Sequence, residues 1–183
     1  MSISVEEKNE TKKMTNENDR AFRAMTFARN VHATQVRKYS GNPYADHLAE
    51  VAGIVATVTS DQDAIAVAWL HDCMEDQGVE LSTLIEMFGP RIADGVKWLS
   101  DLETGNRAER KRLSCERLAT APDWVQTIKC ADLISNTSSI VKHDPDFAIV
   151  YLKEKALLLE VLTMADKRLM AIALAQSKTN HAS

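Results

Sequence analysis

Residues 64–77 read AIAVAWLHDCMEDQ, so seven apolar or small residues lead directly into a cluster made of His71, Asp72, Glu75 and Asp76. A segment that is apolar nearly all round is typical of a helix in the centre of a bundle. An advance of about 100° per residue along one continuous helix places the four ionisable side chains within an arc of roughly 140°. Buried carboxylates are costly unless a cation compensates them. The segment therefore predicts a metal ion and a water molecule in the protein core.

The rest of the chain shows the same helical spacing, with apolar residues recurring three and four positions apart from Asn18 onward. The first predicted helix begins near Asn18, the second runs from Pro43 to near Asp61, and the third runs from Gln62 to about Asp76. Two short helices are predicted on either side of Gly89-Pro90, followed by helices over 106–120 and 123–141. The segment from Phe147 to about Ala175 is predicted to be one long helix or two joined ones. No segment alternates as a strand would. The sequence thus predicts an all-α fold, a single helical bundle over residues 18–176, with a disordered tail at 1–17 and a flexible C-terminus at 177–183.

The composition restricts the possible partners. The chain has 183 residues, a formal net charge of −4 and no long run of like charges, so we expect neither duplex nucleic acid nor a membrane as a partner. Its three cysteines form no CxxC pair, which favours free thiols in a reducing cytosol. The sequence has no secretory signal and no apolar stretch of about 18 residues that could span a bilayer. We therefore expect a cytoplasmic, one-domain protein whose oligomeric state is open.

Two further polar residues lie in segments predicted to form helices of the core. His47 lies in GNPYADH, at the start of the second predicted helix, and Asp132 lies in KCADLISN. With the adjacent pair His71-Asp72 they give the order H…HD…D along an all-helical chain, which resembles the HD superfamily of metal-dependent phosphohydrolases. The resemblance implies that His47, His71, Asp72 and Asp132 are metal ligands. Two imidazoles and two carboxylates favour Mn²⁺, Fe²⁺ or Mg²⁺ with open water positions over a closed structural zinc site.

Three longer motifs narrow the resemblance: HATQVRKYSGNPYADH (His32–His47), AWLHDCMEDQ (Ala68–Gln77) and KCADLISN (Lys129–Asn136). They are similar to the main motifs of the hydrolase domain in RelA/SpoT-type enzymes and their small stand-alone relatives. Those enzymes remove pyrophosphate from the 3′ position of guanosine tetra- and pentaphosphate, usually with Mn²⁺. No synthetase domain accompanies the motifs in this sequence, so we expect the small, hydrolase-only type.

The same resemblance implies roles for five more residues. Glu75 and Asp76 would be the catalytic pair, Arg37 and Lys38 would line the nucleotide pocket, and Asn136 would contact the nucleotide. The chemistry agrees with these roles, because a divalent ion lowers the pKa of a bound water and polarises a phosphoryl oxygen. Neighbouring carboxylates can then orient that water or carry its proton. We therefore expect a hydrolase that attacks a guanosine alarmone, its nucleotide partner, with metal-activated water.

Two departures from the motifs leave the nucleotide open. The alarmone hydrolases commonly have a basic residue directly after the aspartate of the third motif and an arginine two residues past its asparagine, whereas this chain has Leu133 and Ser138. An HD phosphatase for another nucleotide, such as a nicotinamide dinucleotide 2′-phosphate or a nucleoside phosphate, is one alternative. A non-catalytic alarmone-binding module is another, although a binder does not need the Glu75-Asp76 pair. We interpret the basic run RAERKR (Arg107–Arg112) as a solvated helix face that can lie near the pocket mouth.

Overall fold

The computed structural model describes residues 19–38 and 40–178, and within these ranges the chain forms ten helices. They are α1 (Arg20–Val31), α2 (Tyr44–Ala56), α3 (Gln62–Leu70), α4 (Cys73–Gln77), α5 (Leu81–Phe88), α6 (Pro90–Leu99), α7 (Arg107–Ala119), α8 (Asp123–His143), α9 (Pro145–Val161) and α10 (Lys167–Lys178). The all-α prediction is confirmed, since these ranges contain no strand and only an isolated bridge between Val36 and Pro43. None of the ten helices combines the length and the apolar character needed to cross a membrane.

The predicted tails fall almost entirely outside the residues that the structure describes. The N-terminal tail, 1–17, lies wholly outside them, and so do residues 179–183 of the predicted flexible C-terminus. Ser177 and Lys178 form the last turn of α10.

Helix α3 lies in the centre of the bundle and packs against α1, α2, α6 and α8. Most of its side chains are apolar, and five of the apolar ones are buried: Ala64, Ala66, Val67, Ala68 and Leu70. Asp61 caps the start of the helix: its carboxylate accepts a hydrogen bond from the amide of Asp63 at 2.9 Å and so satisfies one of the free donors of the first turn. The prediction of a central helix in this stretch is confirmed.

The prediction that this helix runs unbroken to Asp76 is wrong. Helix α3 ends at Leu70, and a two-residue link, His71-Asp72, leads into the short helix α4. The ring nitrogen Nδ1 of His71 lies 2.8 Å from the carbonyl oxygen of Ala68, so the side chain competes with the backbone for a helix acceptor and interrupts the helix. Helix α4 ends at Gly78, whose φ of 63° is the left-handed conformation that glycine adopts at little cost.

Several predicted breaks coincide with the observed ones. Gly89, with a φ of 86°, separates α5 from α6, which begins at Pro90. Helix α8 ends at His143, two residues beyond its predicted end at 141, and α9 begins at Pro145. The last predicted segment is two helices, α9 and α10.

Helices α6 and α8 approach each other closely at Gly95. A Cβ atom at this position would overlap the ring of Trp124 on α8 and would come within 2.8 Å of Val67 on α3. Glycine in a helix interior costs roughly 1 kcal/mol relative to alanine. The close contact of three helices is therefore obtained at the expense of local helix propensity.

Candidate metal centre and active site

Three of the four predicted ligands meet in one buried cluster. His47 lies in the first turn of α2, His71 follows the last turn of α3, and Asp132 lies in the middle of α8. The Nε2 atoms of His47 and His71 lie 3.4 Å and 3.8 Å from Oδ1 of Asp132. All three side chains are buried, and their ligand atoms are close enough together to hold one metal ion.

The histidines of the cluster are oriented by hydrogen bonds to their other ring nitrogens. Nδ1 of His71 faces the carbonyl oxygen of Ala68, which can only accept, so Nδ1 carries the proton in the neutral ring. Nδ1 of His47 faces the hydroxyl oxygen of Ser135 at 2.9 Å, and that hydroxyl donates its own proton to Glu50 at 2.7 Å. Both rings therefore present the lone pair of Nε2 to the cluster, as metal-bound histidines do.

The two Nε2 atoms have no hydrogen-bond partner although they are buried. A buried polar atom without a partner is costly. Each of these lone pairs points toward a carboxylate, and two acceptors cannot satisfy each other. A cation between them would satisfy both, so the residues fit a divalent metal.

Charged neighbours shift the pKa values of His71 and Asp132 in the cluster. Burial disfavours the charge on His71, but the carboxylates of Asp72 and Asp132 outweigh burial and raise the pKa of His71 to about 9. Burial likewise opposes the charge on Asp132, but the ammonium of Lys129, 3.0 Å away, and the two histidines lower the pKa of Asp132 below its usual range. The carboxylates therefore favour a positive charge at Nε2 of His71, which a proton supplies in the free protein and which a metal ion would supply after displacing that proton.

Asp72, the fourth predicted ligand, lies at the edge of the cluster. Its Oδ2 atom is 3.0 Å from Nε2 of His71 and 3.6 Å from Nε2 of His47. The same oxygen accepts a hydrogen bond of 2.6 Å from the hydroxyl of Tyr44. Burial, together with the charge of Asp72, raises the pKa of Tyr44, so this hydroxyl stays protonated and continues to donate.

A cavity of about 750 Å³ opens beside the cluster and brings most of the predicted site residues together. Its wall includes Asp72, Asp132, Glu75, Asp76 and Asn136. Glu75 and Asp76 lie beyond the helix break at His71-Asp72, and their side chains reach the cavity beside the buried cluster. Asp72, Glu75 and Asp76 thus line the same cavity as Asp132.

The two predicted catalytic carboxylates are held in different ways. Oε2 of Glu75 accepts a hydrogen bond of 2.9 Å from the backbone amide of Asp101. The partial removal of Glu75 from water inside the cavity raises its pKa to about 7, and the negative charges of Asp101 and Asp72 add to this shift. The hydrogen bond from the backbone amide of Asp101 opposes it. Oδ2 of Asp76 accepts a hydrogen bond of 2.8 Å from the side chain of Gln35.

The three predicted nucleotide-binding residues are not equally placed. The guanidinium of Arg37 donates to Oδ1 of Asn136 at 3.0 Å, and the amide of Asn136 donates to Oδ1 of Asp132 at 2.7 Å. Arg37 and Asn136 therefore adjoin the cluster. Lys38 is an exposed turn residue, and it is not part of the cavity wall as far as the chain is described.

Sequence reasoning missed an ion network in the wall of the cavity. Asp101, Lys111, Ser114 and Lys129 all line this wall. The basic run at 107–112 is also more than a solvated face, since Arg107, Lys111 and Arg112 belong to the wall. The spacing of three residues between Lys129 and Asp132 could have indicated their pairing, whereas no local pattern marks Asp101.

A family profile described as "HD domain" matches residues 24–146, a range that contains the buried cluster and Asp72. The chain belongs to the HD-domain family. Among the relatives of this HD-domain protein is a probable guanosine-3′,5′-bis(diphosphate) 3′-pyrophosphohydrolase of Synechocystis sp., 34% identical over 130 residues, which are 68% of this chain and 17% of the relative. A probable GTP pyrophosphokinase of Mycobacterium leprae is 38% identical over 118 residues, 62% of this chain and 15% of the relative.

The chain thus corresponds to about a sixth of the length of these two relatives. A shorter relative, a guanosine-3′,5′-bis(diphosphate) 3′-pyrophosphohydrolase of Drosophila melanogaster, is 29% identical over 124 residues, 66% of this chain and 69% of the relative. The HD-domain protein is therefore a phosphohydrolase-family member related to enzymes named for hydrolysis of a guanosine bis(diphosphate).

Solved structures show that the fold is shared. A metazoan ortholog of SpoT that hydrolyses ppGpp superposes with a TM-score of 0.80 over 86% of this chain and 93% of that one, at 23% identity. A protein of Listeria monocytogenes, lmo0812, superposes with a TM-score of 0.64 over 76% of this chain and 96% of that one, at 19% identity. Together, the family and the buried His47–His71–Asp132 cluster indicate a divalent metal in the HD-domain protein.

Proposed function

We propose that this protein is a Mn²⁺-dependent hydrolase that removes pyrophosphate from the 3′ position of guanosine tetra- and pentaphosphate. The main support is the pair of unpartnered, buried Nε2 atoms of His47 and His71, which point toward Asp132 beside a cavity that also contains Glu75 and Asp76. The names of the relatives from Synechocystis and Drosophila support the choice of substrate.

In this proposal His47, His71 and Asp132 hold the ion, and Asp72 completes the ligand set from the edge of the cluster. A divalent ion bound there supplies a water of lowered pKa and a Lewis acid for a phosphoryl oxygen. Tyr44 keeps one oxygen of Asp72 hydrogen-bonded, which fixes the direction of the carboxylate. Lys129 does the same for Oδ2 of Asp132.

Glu75 is the proposed proton acceptor. Its Oε2 atom is occupied by the amide of Asp101, so Oε1 is the atom that takes the proton of the attacking water and returns it to the leaving group. A pKa of about 7 suits this role, because a general base works best when its pKa lies near the operating pH. Asp76, fixed by Gln35, orients the water.

The phosphates of the nucleotide meet the basic side of the cavity, where Arg107, Lys111 and Arg112 lie. Arg37, which is bonded to Asn136, lies on the cluster side and can stack on a base or grip a phosphate. Lys38 follows Arg37 in the chain and is proposed to add its charge at the outer edge of the site.

The nucleotide has one competing assignment. Leu133 is buried and Ser138 is exposed on α8, at the two positions where the alarmone hydrolases commonly carry basic residues. This loss of two charges favours an HD phosphatase for a nucleotide with fewer phosphates as the second candidate.

Product analysis separates the candidates. Purified protein is incubated with Mn²⁺ and guanosine 3′,5′-bis(diphosphate), and then with a nicotinamide dinucleotide 2′-phosphate, while pyrophosphate and orthophosphate are measured. The expected result is pyrophosphate from the first substrate and loss of activity after exhaustive chelation, with recovery best in Mn²⁺. Orthophosphate from the second substrate alone would establish the phosphatase instead, and bound but unchanged guanosine nucleotide would indicate a non-catalytic module.

A further inference from the structure

The side chain of Glu75 is positioned by a residue that lies outside the sequence motifs. Its carboxylate accepts the backbone N–H of Asp101 at 2.9 Å, in the non-helical link between α6 and α7. Glu75 itself is exposed, and a glutamate side chain has several rotatable bonds, so packing alone does not fix its direction. This hydrogen bond is the contact that aims the carboxylate into the cavity.

The link is in turn tied to α7 through the side chain of Asp101. The carboxylate accepts hydrogen bonds from Lys111 at 2.9 Å, from the hydroxyl of Ser114 at 2.8 Å and from Arg117 at 2.8 Å. Although burial opposes ionisation, the charges of Lys129 and Lys111 keep the pKa of Asp101 below its usual range. The carboxylate is therefore ionised and held by three donors from one helix.

Arg117 also holds the chain on either side of Asp101, at the end of α6 and in the link. Its guanidinium donates to Glu103 at 2.6 Å and to the carbonyl oxygen of Trp98. The chain is thus held both before and after Asp101, and the amide of Asp101 has little freedom to turn away from Glu75.

We propose that Asp101 is a positioning residue for Glu75: its carboxylate, held by Lys111, Ser114 and Arg117, fixes the backbone so that its amide directs Glu75 toward the reacting water. This inference rests on the proposed function, because it gives Glu75 the role of proton acceptor. In this assignment Asp101 acts through Glu75.

The kinetic test is a double-mutant cycle on the metal-loaded protein, with Asp101→Asn, Glu75→Gln and both together. Asparagine keeps the size of the side chain and can still accept from Ser114, so folding is expected to survive. Asp101→Asn is expected to lower kcat roughly 10-fold, the scale of one hydrogen bond to a charged group, with KM and metal content unchanged. In the Glu75→Gln background the same substitution should have no further effect on kcat.

A matched control is Asp94→Asn, which makes the same chemical change at an exposed carboxylate of α6, outside the link that carries Asp101. It should leave kcat at the parental value. An equal loss from Asp101→Asn in both backgrounds would overturn the inference, because it would show that Asp101 supports the fold and not Glu75.

A second measurement needs neither substrate nor turnover. Hydrogen exchange at the backbone amide of residue 101 should be slow in the parent and roughly 10-fold faster in Asp101→Asn and in Glu75→Ala. Unchanged exchange in both variants would overturn the inference even if the protein cleaves the alarmone. Faster exchange in a protein that releases no pyrophosphate would instead support the contact and reject the proposed function.

Discussion

The buried cluster and the link after α6 bring polar groups to the same cavity by different means. The cluster takes His47, His71 and Asp132 from three packed helices, and each is buried. The link presents Asp101 and is held by ion pairs with Lys111 and Arg117, of which Lys111 is 43% exposed. The positions of His47, His71 and Asp132 thus depend on the packed core. The direction of the Glu75 side chain depends instead on partly hydrated ion pairs around Asp101, which salt can weaken. We therefore expect substitutions in the cluster to change metal binding, and substitutions that affect Glu75 to change the rate without changing metal binding.

The largest effect is expected from Asp132→Ala. Removing this carboxylate deletes a proposed ligand and leaves the Nε2 atoms of His47 and His71 without their shared counter-charge, so metal content and turnover should be lost together. Metal is measured by elemental analysis and the rate by pyrophosphate release. Asp94→Ala, which removes an exposed carboxylate on α6, is the control and should retain both. Full metal content in Asp132→Ala would show that the cluster is not the metal site.

Glu75→Ala should separate turnover from metal binding. Because Glu75 is assigned to proton transfer, its loss should lower the single-turnover rate by roughly 10² to 10⁴, the usual share of acid–base catalysis. The metal content and the nucleotide affinity should stay near those of the parent. A variant that loses the metal, or that turns over at the parental rate, would contradict the division into ligands and proton-handling residues.

The pH profile tests the same residue. A base must be ionised to accept a proton, and the pKa of Glu75 is raised to about 7, so kcat should fall roughly 10-fold per unit as the pH decreases below about 7. In Glu75→Ala this acidic limb should disappear. Its persistence at the same pH would assign it to another group.

A smaller effect is expected from Tyr44→Phe, which acts on the edge of the cluster. The substitution removes the 2.6 Å hydrogen bond to Asp72 but keeps the ring, so metal affinity should fall by roughly 10- to 100-fold. Tyr151→Phe is a matched control, because Tyr151 lines the same cavity but its hydroxyl bonds the carbonyl oxygen of Leu133 at 3.3 Å. Equal metal titration curves for Tyr44→Phe and the parent would show that Asp72 does not need this support.

The last expected effect is on stability rather than on the site, and it involves neither region. Lys155 is 1% exposed and donates to Thr137 at 2.7 Å and to Gln176 at 2.9 Å, and burial lowers its pKa from 10.5 to about 8. The unfolded chain therefore binds this proton more tightly, so the free energy of unfolding should rise as the pH increases from 8 to 10.5, by up to about 3 kcal/mol. Urea denaturation of Lys155→Met should lack this part of the rise. If the free energy of unfolding changed with pH in the same way in both proteins, burial would not disfavour the charged form of Lys155.

The difference between the two regions also explains what the sequence could predict. His47, His71 and Asp132 stand out because each interrupts an apolar helical pattern, and periodicity is a local signal. The break at His71-Asp72 was missed because it arises from a side chain bonding the carbonyl oxygen of Ala68, and no residue there is a usual helix breaker. Asp101 was missed because its contacts to Glu75 and Arg117 join positions 26 and 16 residues apart across a link without periodicity.

Gly95 links the packing of the bundle interior to the position of the Glu75 side chain in the cavity. Its lack of a side chain sets the separation of α6 from α8 and α3, and α6 runs from there directly into the link whose amide holds Glu75. A single methyl group at residue 95 would push α6 outward and carry the amide of Asp101 with it. A substitution deep in the apolar interior would therefore shift the carboxylate that is proposed as the proton acceptor, in addition to disturbing the packing.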